Sequence, residues 1–156
     1  MPEILHKGLS ASLEDYLETV LAVISEKKAV RAKDIAQRLG VSRASVTSAL
    51  QALGERKYIN YAPYDVITLT EEGKALASEI WSKHHLLTSF FKDLLGAEPV
   101  LAEEVACKLE HFVPNQILER MNLFNEFIVQ QSGGLDLLQK RFEQFCIEKQ
   151  KDISGI

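Results

Sequence analysis

The chain has 156 residues, 46% hydrophobic and 26% charged, with a formal net charge of −4; it is long enough to bury a real core in one unit or two small subdomains, and its charge excludes a protein coated in positive potential for unspecific nucleic-acid binding. No apolar run approaches a membrane span, and the start MPEILHKGLSASLEDY lacks the apolar centre of a signal peptide, so the expected location is the cytoplasm. There Cys107 and Cys146 are expected as thiols, ligands or core residues rather than as a structural disulfide.

The first helix is predicted to start after Ser10 or Ser12, with Leu13, Tyr16, Leu17, Val20, Leu21 and Ile24 forming an apolar stripe. A helix turns about 100° per residue, which puts Asp15 and Glu18 on the opposite side. Ser12 with Asp15 also resembles a capping box, with Asp in place of the usual Glu or Gln.

From Ser25 to Asn60 the composition changes, with eight basic residues (Lys27, Lys28, Arg31, Lys33, Arg38, Arg43, Arg56, Lys57) against three acids (Glu26, Asp34, Glu55). A basic module thus sits inside an acidic chain. Its elements are a short helix over 31–39 with Ile35, Ala36 and Leu39 inward, a turn at Gly40-Val41-Ser42, and a helix over 43–56 capped by Ser42 that buries Val46, Ala49, Leu50 and Leu53. Arg31-Ala32-Lys33 offers no capping Ser or Asp to the first of these helices. Two β-prone runs, 58–61 and 66–69, flank Ala62-Pro63-Tyr64-Asp65 and read as a hairpin wing. Helix, tight turn, helix and hairpin is the order of a winged helix-turn-helix. Arg43 suits a bidentate contact with guanine, and Ser42, Ser45, Thr47 and Ser48 suit phosphates or bases, while Lys33, Ala44 and Tyr64 complete the expected DNA-facing set.

Thr70 is expected to cap a long helix over 71–95 that ends at Gly96. Pro99 opens a helix reaching Phe112, Pro114 opens another to Val129, and residues 130–134 break the chain before a last helix over 135–151. Within the helix after Pro99, Cys107, Glu110 and His111 stand at i, i+3 and i+4 and share one face. Leu101, Val105, Leu109 and Phe112 fall on the opposite, apolar stripe. Two readings of the trio stay open: a solvated face, or a thiolate, carboxylate and imidazole set for one divalent ion, with Asp15 and Glu18 brought opposite by the first helix. His84, among Ile80, Trp81, Leu87 and Phe91, reads from the residues alone as a hydrogen-bonded core histidine. The apolar surplus on 86–95 and on Ile117, Met121 and Phe124 is either a subunit interface or the domain's own core.

Taken in order, Glu14-Asp15-Tyr16-Leu17-Glu18, Asp34-Ile35-Ala36-Gln37-Arg38-Leu39, Ser42–Val46, Lys83-His84-His85-Leu86-Leu87 and Ala106-Cys107-Lys108-Leu109-Glu110-His111 resemble the diphtheria toxin repressor and manganese transport regulator family. The resemblance covers about 13–120. It implies a mainly α fold, with an N-terminal winged helix-turn-helix over 1–73 and an all-helical metal-binding and dimerisation domain over 74–156. It further implies that Asp15, Glu18, His84, Cys107, Glu110 and His111 occupy metal-ligand positions, and that a homodimer binds palindromic double-stranded operators near metal-uptake genes. Asp15 and the lack of a β-rich tail match the shorter, manganese-type members, whereas Cys107 matches the iron-type ones, and Thr88 stands where those often carry a glutamate of an ancillary site. The expectation is a metal-dependent repressor that is not an enzyme and touches no membrane, loaded with Fe(II) first, Mn(II) second, and Zn(II) or Co(II) after them. Two alternatives are a metal-independent winged-helix repressor sensing an organic ligand, and a metallohydrolase using an open position on the ion.

Overall fold

The computed structural model describes residues 9–27, 29–63, 65–131 and 134–154, the last four by backbone alone. Tyr64, expected to face DNA, lies outside the described residues. The chain divides into two compact units, one up to Ser82 and one from Lys83 onward.

The first unit opens with α1 (Ala11–Glu26), whose N-cap is Ser10, its side chain accepting the Leu13 N–H at 3.3 Å. The acid of a capping box would therefore stand at position 13, so Asp15 has no capping role, and the Ser12–Asp15 reading is corrected. The predicted stripe is inward: Tyr16, Leu17, Val20 and Val23 are buried, with Leu13, Leu21 and Ile24 packed against them. Glu14, one residue before Asp15, is also buried. α2 (Ala32–Leu39) ends at Gly40, which takes the left-handed conformation at φ 66°. α3 (Arg43–Glu55) starts on Ser42, which accepts the Ser45 N–H at 3.1 Å, and it buries Val46, Ala49, Leu50 and Leu53 as its spacing predicts.

The start of α2 solves its missing cap in another way. Asp34 reaches back so that one carboxylate oxygen accepts the Arg31 N–H at 3.0 Å and the other takes Lys27 Nζ at 2.7 Å. The hydrogen bond from Lys27 is the main reason that the Asp34 carboxyl lies below its ordinary value; burial opposes it, and the Arg31 N–H and the Lys27 and Lys33 charges add to it. A carboxyl lowered in the folded state stabilises above its unfolded value, 3.8, and loses that contribution as pH falls through the folded value. Asp34→Asn is therefore expected to cost about 1 kcal/mol near pH 7 in urea denaturation. The gap from the parent should close toward pH ~2; a gap undiminished there would refute the assignment.

β1 (Ile59–Asn60) and β2 (Thr68–Leu69) pair antiparallel, Ile59 opposite Leu69 and Asn60 opposite Thr68, and Ile67 bridges to Val30. The hairpin expected from the sequence is present, with strands shorter than the runs suggested. Thr70 then caps α4 (Glu71–Ser89): its hydroxyl oxygen accepts the Gly73 N–H at 3.0 Å and lies 2.7 Å from the Lys57 carbonyl, to which it donates. At Gly73 a Cβ would stand 1.8 Å from the Tyr58 carbonyl oxygen, so only glycine admits this approach of helix and hairpin. Leu76, Ala77 and Ile80 of α4 close the core, which also contains Leu9, Leu17, Ile35, Leu50, Leu53 and Ile67. Burying each such Leu or Ile side chain contributes about 1.5–3 kcal/mol.

In the second unit the long helix is not α-helical to its end. After Ser89 it widens to a π-helical turn over Phe90–Leu94, where the Leu95 N–H bonds the Phe90 carbonyl, before Gly96 stops it at φ 68°. α5 (Pro99–Leu109) carries Pro99 in its first turn, and Glu98 caps it by accepting the Leu101 N–H at 3.0 Å. α5 ends three residues earlier than the sequence suggests, so Glu110 is its C-cap and His111 lies in the turn that follows. α6 (Asn115–Gln130) and α7 (Gly134–Ser154) complete the unit, and α7 packs on α6 and on the π-helical turn. The apolar cluster here is small: Leu87, Ala106 and Leu118, with Leu86, Phe91, Leu109, Val113 and Met121 packed against it.

The burial of α5 departs from the expected sides in part: Leu109, expected inward, does pack against this cluster, and Cys107 is exposed. Leu101 and Phe112, expected inward, are 53% and 62% exposed, whereas Glu110 and His111 are 2% and 5% exposed. Ala102 and Ala106 supply the apolar contact instead. Small side chains let the helix approach closely on their side, and Glu110, at the next i+4 step, follows them inward.

Candidate metal centre and DNA-facing surface

Within the second unit two elements bring imidazoles to Glu110, the C-cap of α5. α4 presents His84, whose side chain is 13% exposed, and places its Nδ1 2.6 Å from Glu110 Oε2. The turn after α5 brings His111 Nε2 to 3.6 Å from Glu110 Oε1. That oxygen is fully buried and has no hydrogen-bond partner among the described residues. An ionised carboxylate oxygen buried without a donor costs at least 1–3 kcal/mol, roughly, so something must compensate it.

The other edge of His84 faces a second acid. Nε2 stands 3.1 Å from Glu103 Oε1, and Thr88 Oγ1 donates to Glu103 Oε2 at 3.3 Å. Hydrogen bonding to His84 is the main cause that holds the Glu103 carboxyl below its ordinary value; burial opposes it, and the charge of His84, the Thr88 hydroxyl and the charge of His85 add. A neutral imidazole has one N–H, so it can donate to one of these two carboxylates only. If Nε2–H donates to Glu103, the Nδ1 lone pair and the Glu110 carboxylate face one another at 2.6 Å and require a cation or a proton. Imidazole nitrogen beside buried carboxylate oxygen is a donor set that suits divalent transition metals, with the outer carboxylate setting the tautomer. The residues present fit such an ion.

The sequence-expected set is distributed as follows. His84, Glu110 and His111 are together, and Cys107 lies one turn before Glu110 on α5, exposed. Asp15 and Glu18 belong to the first unit, one turn apart on α1, both half-buried and neither part of the hydrophobic core. His84 is hydrogen-bonded and mostly buried, as its neighbours suggest, and both ring nitrogens face carboxylates. Sequence reasoning missed Glu103. Its signal was present: it stands four residues before Cys107 and seven before Glu110, on the same helical side.

The first unit carries the other candidate surface. Lys33, Ser42, Arg43, Ala44, Ser45 and Ser48 are exposed and Thr47 is half-buried. Three hydroxyls serve the local fold: Ser42 Oγ takes the Ser45 N–H and lies 2.9 Å from Ser45 Oγ, and Thr47 donates to the Arg43 carbonyl at 2.9 Å. These bonds stiffen the first turns of α3, the part of a recognition helix that meets base edges. Ser48, one turn on from Ala44, keeps its hydroxyl outward with no bond among the described residues.

Comparison with known proteins places both surfaces in a common context. Residues 8–67 match the family described as iron dependent repressor, N-terminal DNA binding domain, and residues 70–136 match iron dependent repressor, metal binding and dimerisation domain. An HTH-type transcriptional regulator of Methanocaldococcus jannaschii is 39% identical over 119 residues, 76% of this chain and 95% of the relative. The HTH-type transcriptional regulator MntR of Bacillus pumilus is 31% identical over 136 residues, 85% of this chain and 94% of MntR. Among solved structures, the manganese regulator SloR superposes with a TM-score of 0.65 at 28% identity, over 72% of this chain and 52% of SloR. The chain thus spans about half the length of that structure.

Proposed function

We propose, since this chain belongs to the iron dependent repressor family of metal-dependent transcriptional regulators, that it binds a palindromic operator as a homodimer when a divalent ion joins Asp15 and Glu18 of α1 to His84, Cys107, Glu110 and His111. The observation that carries the reading is the buried Glu110 carboxylate, with His84 at 2.6 Å and one oxygen lacking a hydrogen-bond donor. Bound there, the ion supplies the positive charge that these side chains lack. Glu103 holds His84 in one tautomer, and Glu110 and His111, kept from water, retain orientation without competing hydration.

Ligands drawn from both units make occupancy a conformational matter. Without the ion, the carboxylates of Asp15, Glu18 and Glu110 repel; with it, the DNA-competent arrangement gains about 2.7 kcal/mol at a hundred times Kd, provided the other arrangement does not bind. Dimerisation is supported by the small cluster around Leu87 and by exposed Leu101, Phe112, Ile117, Phe124 and Phe127 in the same unit. Paired copies would address half-sites about one DNA turn apart, each α3 in a major groove.

Iron(II) ranks first and manganese(II) second. A thiolate beside imidazole and carboxylates suits Fe(II), Zn(II) or Co(II) better than Mn(II), and Cys107 is that thiolate. A DNA mobility shift under anaerobic conditions, with Fe(II), Mn(II), Zn(II) and a chelator, tests both statements. Operator binding is expected with Fe(II) and lost on chelation; binding unchanged by chelation would remove the metal from the mechanism. Cys107→Glu is expected to move the preference toward Mn(II) by about tenfold or more. Equal operator affinity with each ion in both proteins would refute the role of the thiolate.

A further inference from the structure

Glu103 stands beside the candidate metal centre without being one of its ligands. Its side chain is 61% exposed, yet both carboxylate oxygens are held. Oε1 lies 3.1 Å from His84 Nε2, and Oε2 accepts from Thr88 Oγ1 at 3.3 Å. His84 and Thr88 are one helical turn apart on α4, so a single side of that helix fixes a carboxylate carried by α5. Among the described residues no lysine or arginine pairs with Glu103. Its charge is therefore directed at the outer edge of the imidazole whose inner nitrogen faces buried Glu110 at 2.6 Å.

We propose that Glu103, kept in place by Thr88, is a positioning residue that sets which divalent ion the centre prefers. The inference rests on the reading of His84 and Glu110 as ligands and adds to it a source of selectivity outside the ligand set. A carboxylate that accepts the Nε2–H makes the opposite ring nitrogen a more basic donor. Imidazole suits Fe(II) and Zn(II), whereas carboxylate oxygen suits Mn(II), which also stands lowest in the general order of affinities. Strengthening the one imidazole that faces Glu110 thus favours Fe(II) and Zn(II) over Mn(II). Water competes for an exposed carboxylate, which limits the effect and gives Thr88 its part: it holds Glu103 on the ring. The competing account is a tie between α4 and α5 with no bearing on the ion. Such a tie alters stability and leaves the preference alone.

The test compares the full-length parent with Glu103→Gln, Thr88→Val and Thr88→Ser. Zn(II) and Mn(II) affinities are read by competition with a chelating dye, and thermal melting of the ion-free proteins reads the fold. The His84 Nε2–H proton resonance of the Zn(II)-loaded proteins is a further signature. In Glu103→Gln the amide oxygen still accepts this N–H but carries no charge. That variant is expected to weaken Zn(II) by about tenfold and Mn(II) by about twofold, and to move the resonance upfield. Thr88→Val is expected to lower the Zn(II)/Mn(II) affinity ratio by about threefold, and Thr88→Ser to restore it. Equal weakening of both ions in Glu103→Gln would overturn the proposal and leave Glu103 a general source of negative charge. Unchanged affinities with a lowered melting temperature would overturn it in favour of the tie between helices. Both results leave the functional reading intact. A parent that binds neither ion would overturn the proposal together with that reading.

Discussion

Glu110→Gln is expected to lower divalent-ion affinity by at least about a hundredfold, roughly 2.7 kcal/mol, while leaving the ion-free fold as stable as the parent or more so. The two effects have opposite signs because the carboxylate is buried with one oxygen lacking a donor. In the ion-free protein that oxygen carries a desolvation cost that a neutral amide relieves. A glutamine amide N–H can donate to the His84 Nδ1 lone pair across the 2.6 Å contact, so packing is preserved. With the ion, the amide cannot supply the negative charge that stabilises it. Titration calorimetry with Mn(II) and urea denaturation with and without the ion read the two effects separately. Ion affinity equal to that of the parent would remove Glu110 from the ligand set. Unaltered affinity for the ion combined with a large loss of ion-free stability would make it a structural hydrogen-bonding residue instead.

Gly73→Ala is expected to be the most damaging alanine among the described glycines of the first unit, costing about 3 kcal/mol. The new Cβ would stand 1.8 Å from the Tyr58 carbonyl oxygen and 2.7 Å from its carbonyl carbon, and backbone atoms cannot turn aside as a flexible side chain can. Relief requires α4 to move off the hairpin, which breaks the Thr70 bonds to Gly73 N–H and to the Lys57 carbonyl. Gly54→Ala on α3 is the control. Its added Cβ meets Tyr61 Cβ at 3.7 Å, an ordinary contact, and helix propensity favours alanine by about 0.8 kcal/mol. Urea midpoints of the two variants should therefore shift in opposite directions. A Gly73→Ala protein within 0.5 kcal/mol or so of the parent would show that the close approach is not kept in solution.

The first unit was legible because its signals are local. The stripe on α1, the Ser42 cap, Gly40 at the end of α2 and the Thr70 cap each act within one or two turns, and all recur in the structure. The cap of α2 escaped because Asp34 performs it from inside the helix with help from Lys27, seven residues earlier. The π-helical turn at Phe90–Leu94 also escaped, since the apolar spacing of 86–95 suits a continuous α-helix equally well.

In the candidate site, the i, i+3, i+4 spacing of Cys107, Glu110 and His111 was enough to single them out. On α5, Leu109 was placed inward correctly but Leu101 and Phe112 were not, because hydrophobic periodicity ranks them above Ala102 and Ala106. Glu103 was overlooked for a related reason: an exposed glutamate on a helix carries no sign of a partner 19 residues away.

By itself the sequence determined the order of helices and hairpin, the basic character of the segment before the hairpin, and the residue types able to hold an ion. These follow from backbone preference, periodicity and charge, which act over a few neighbouring residues. Only the tertiary structure decided which side of α5 is buried, that His84 lies between Glu103 and Glu110, and that Tyr58 leaves room at position 73 for nothing larger than hydrogen. Those outcomes depend on contacts between segments far apart along the chain, where close packing and the cost of burying a charge without a partner select one arrangement among many that the local pattern allows.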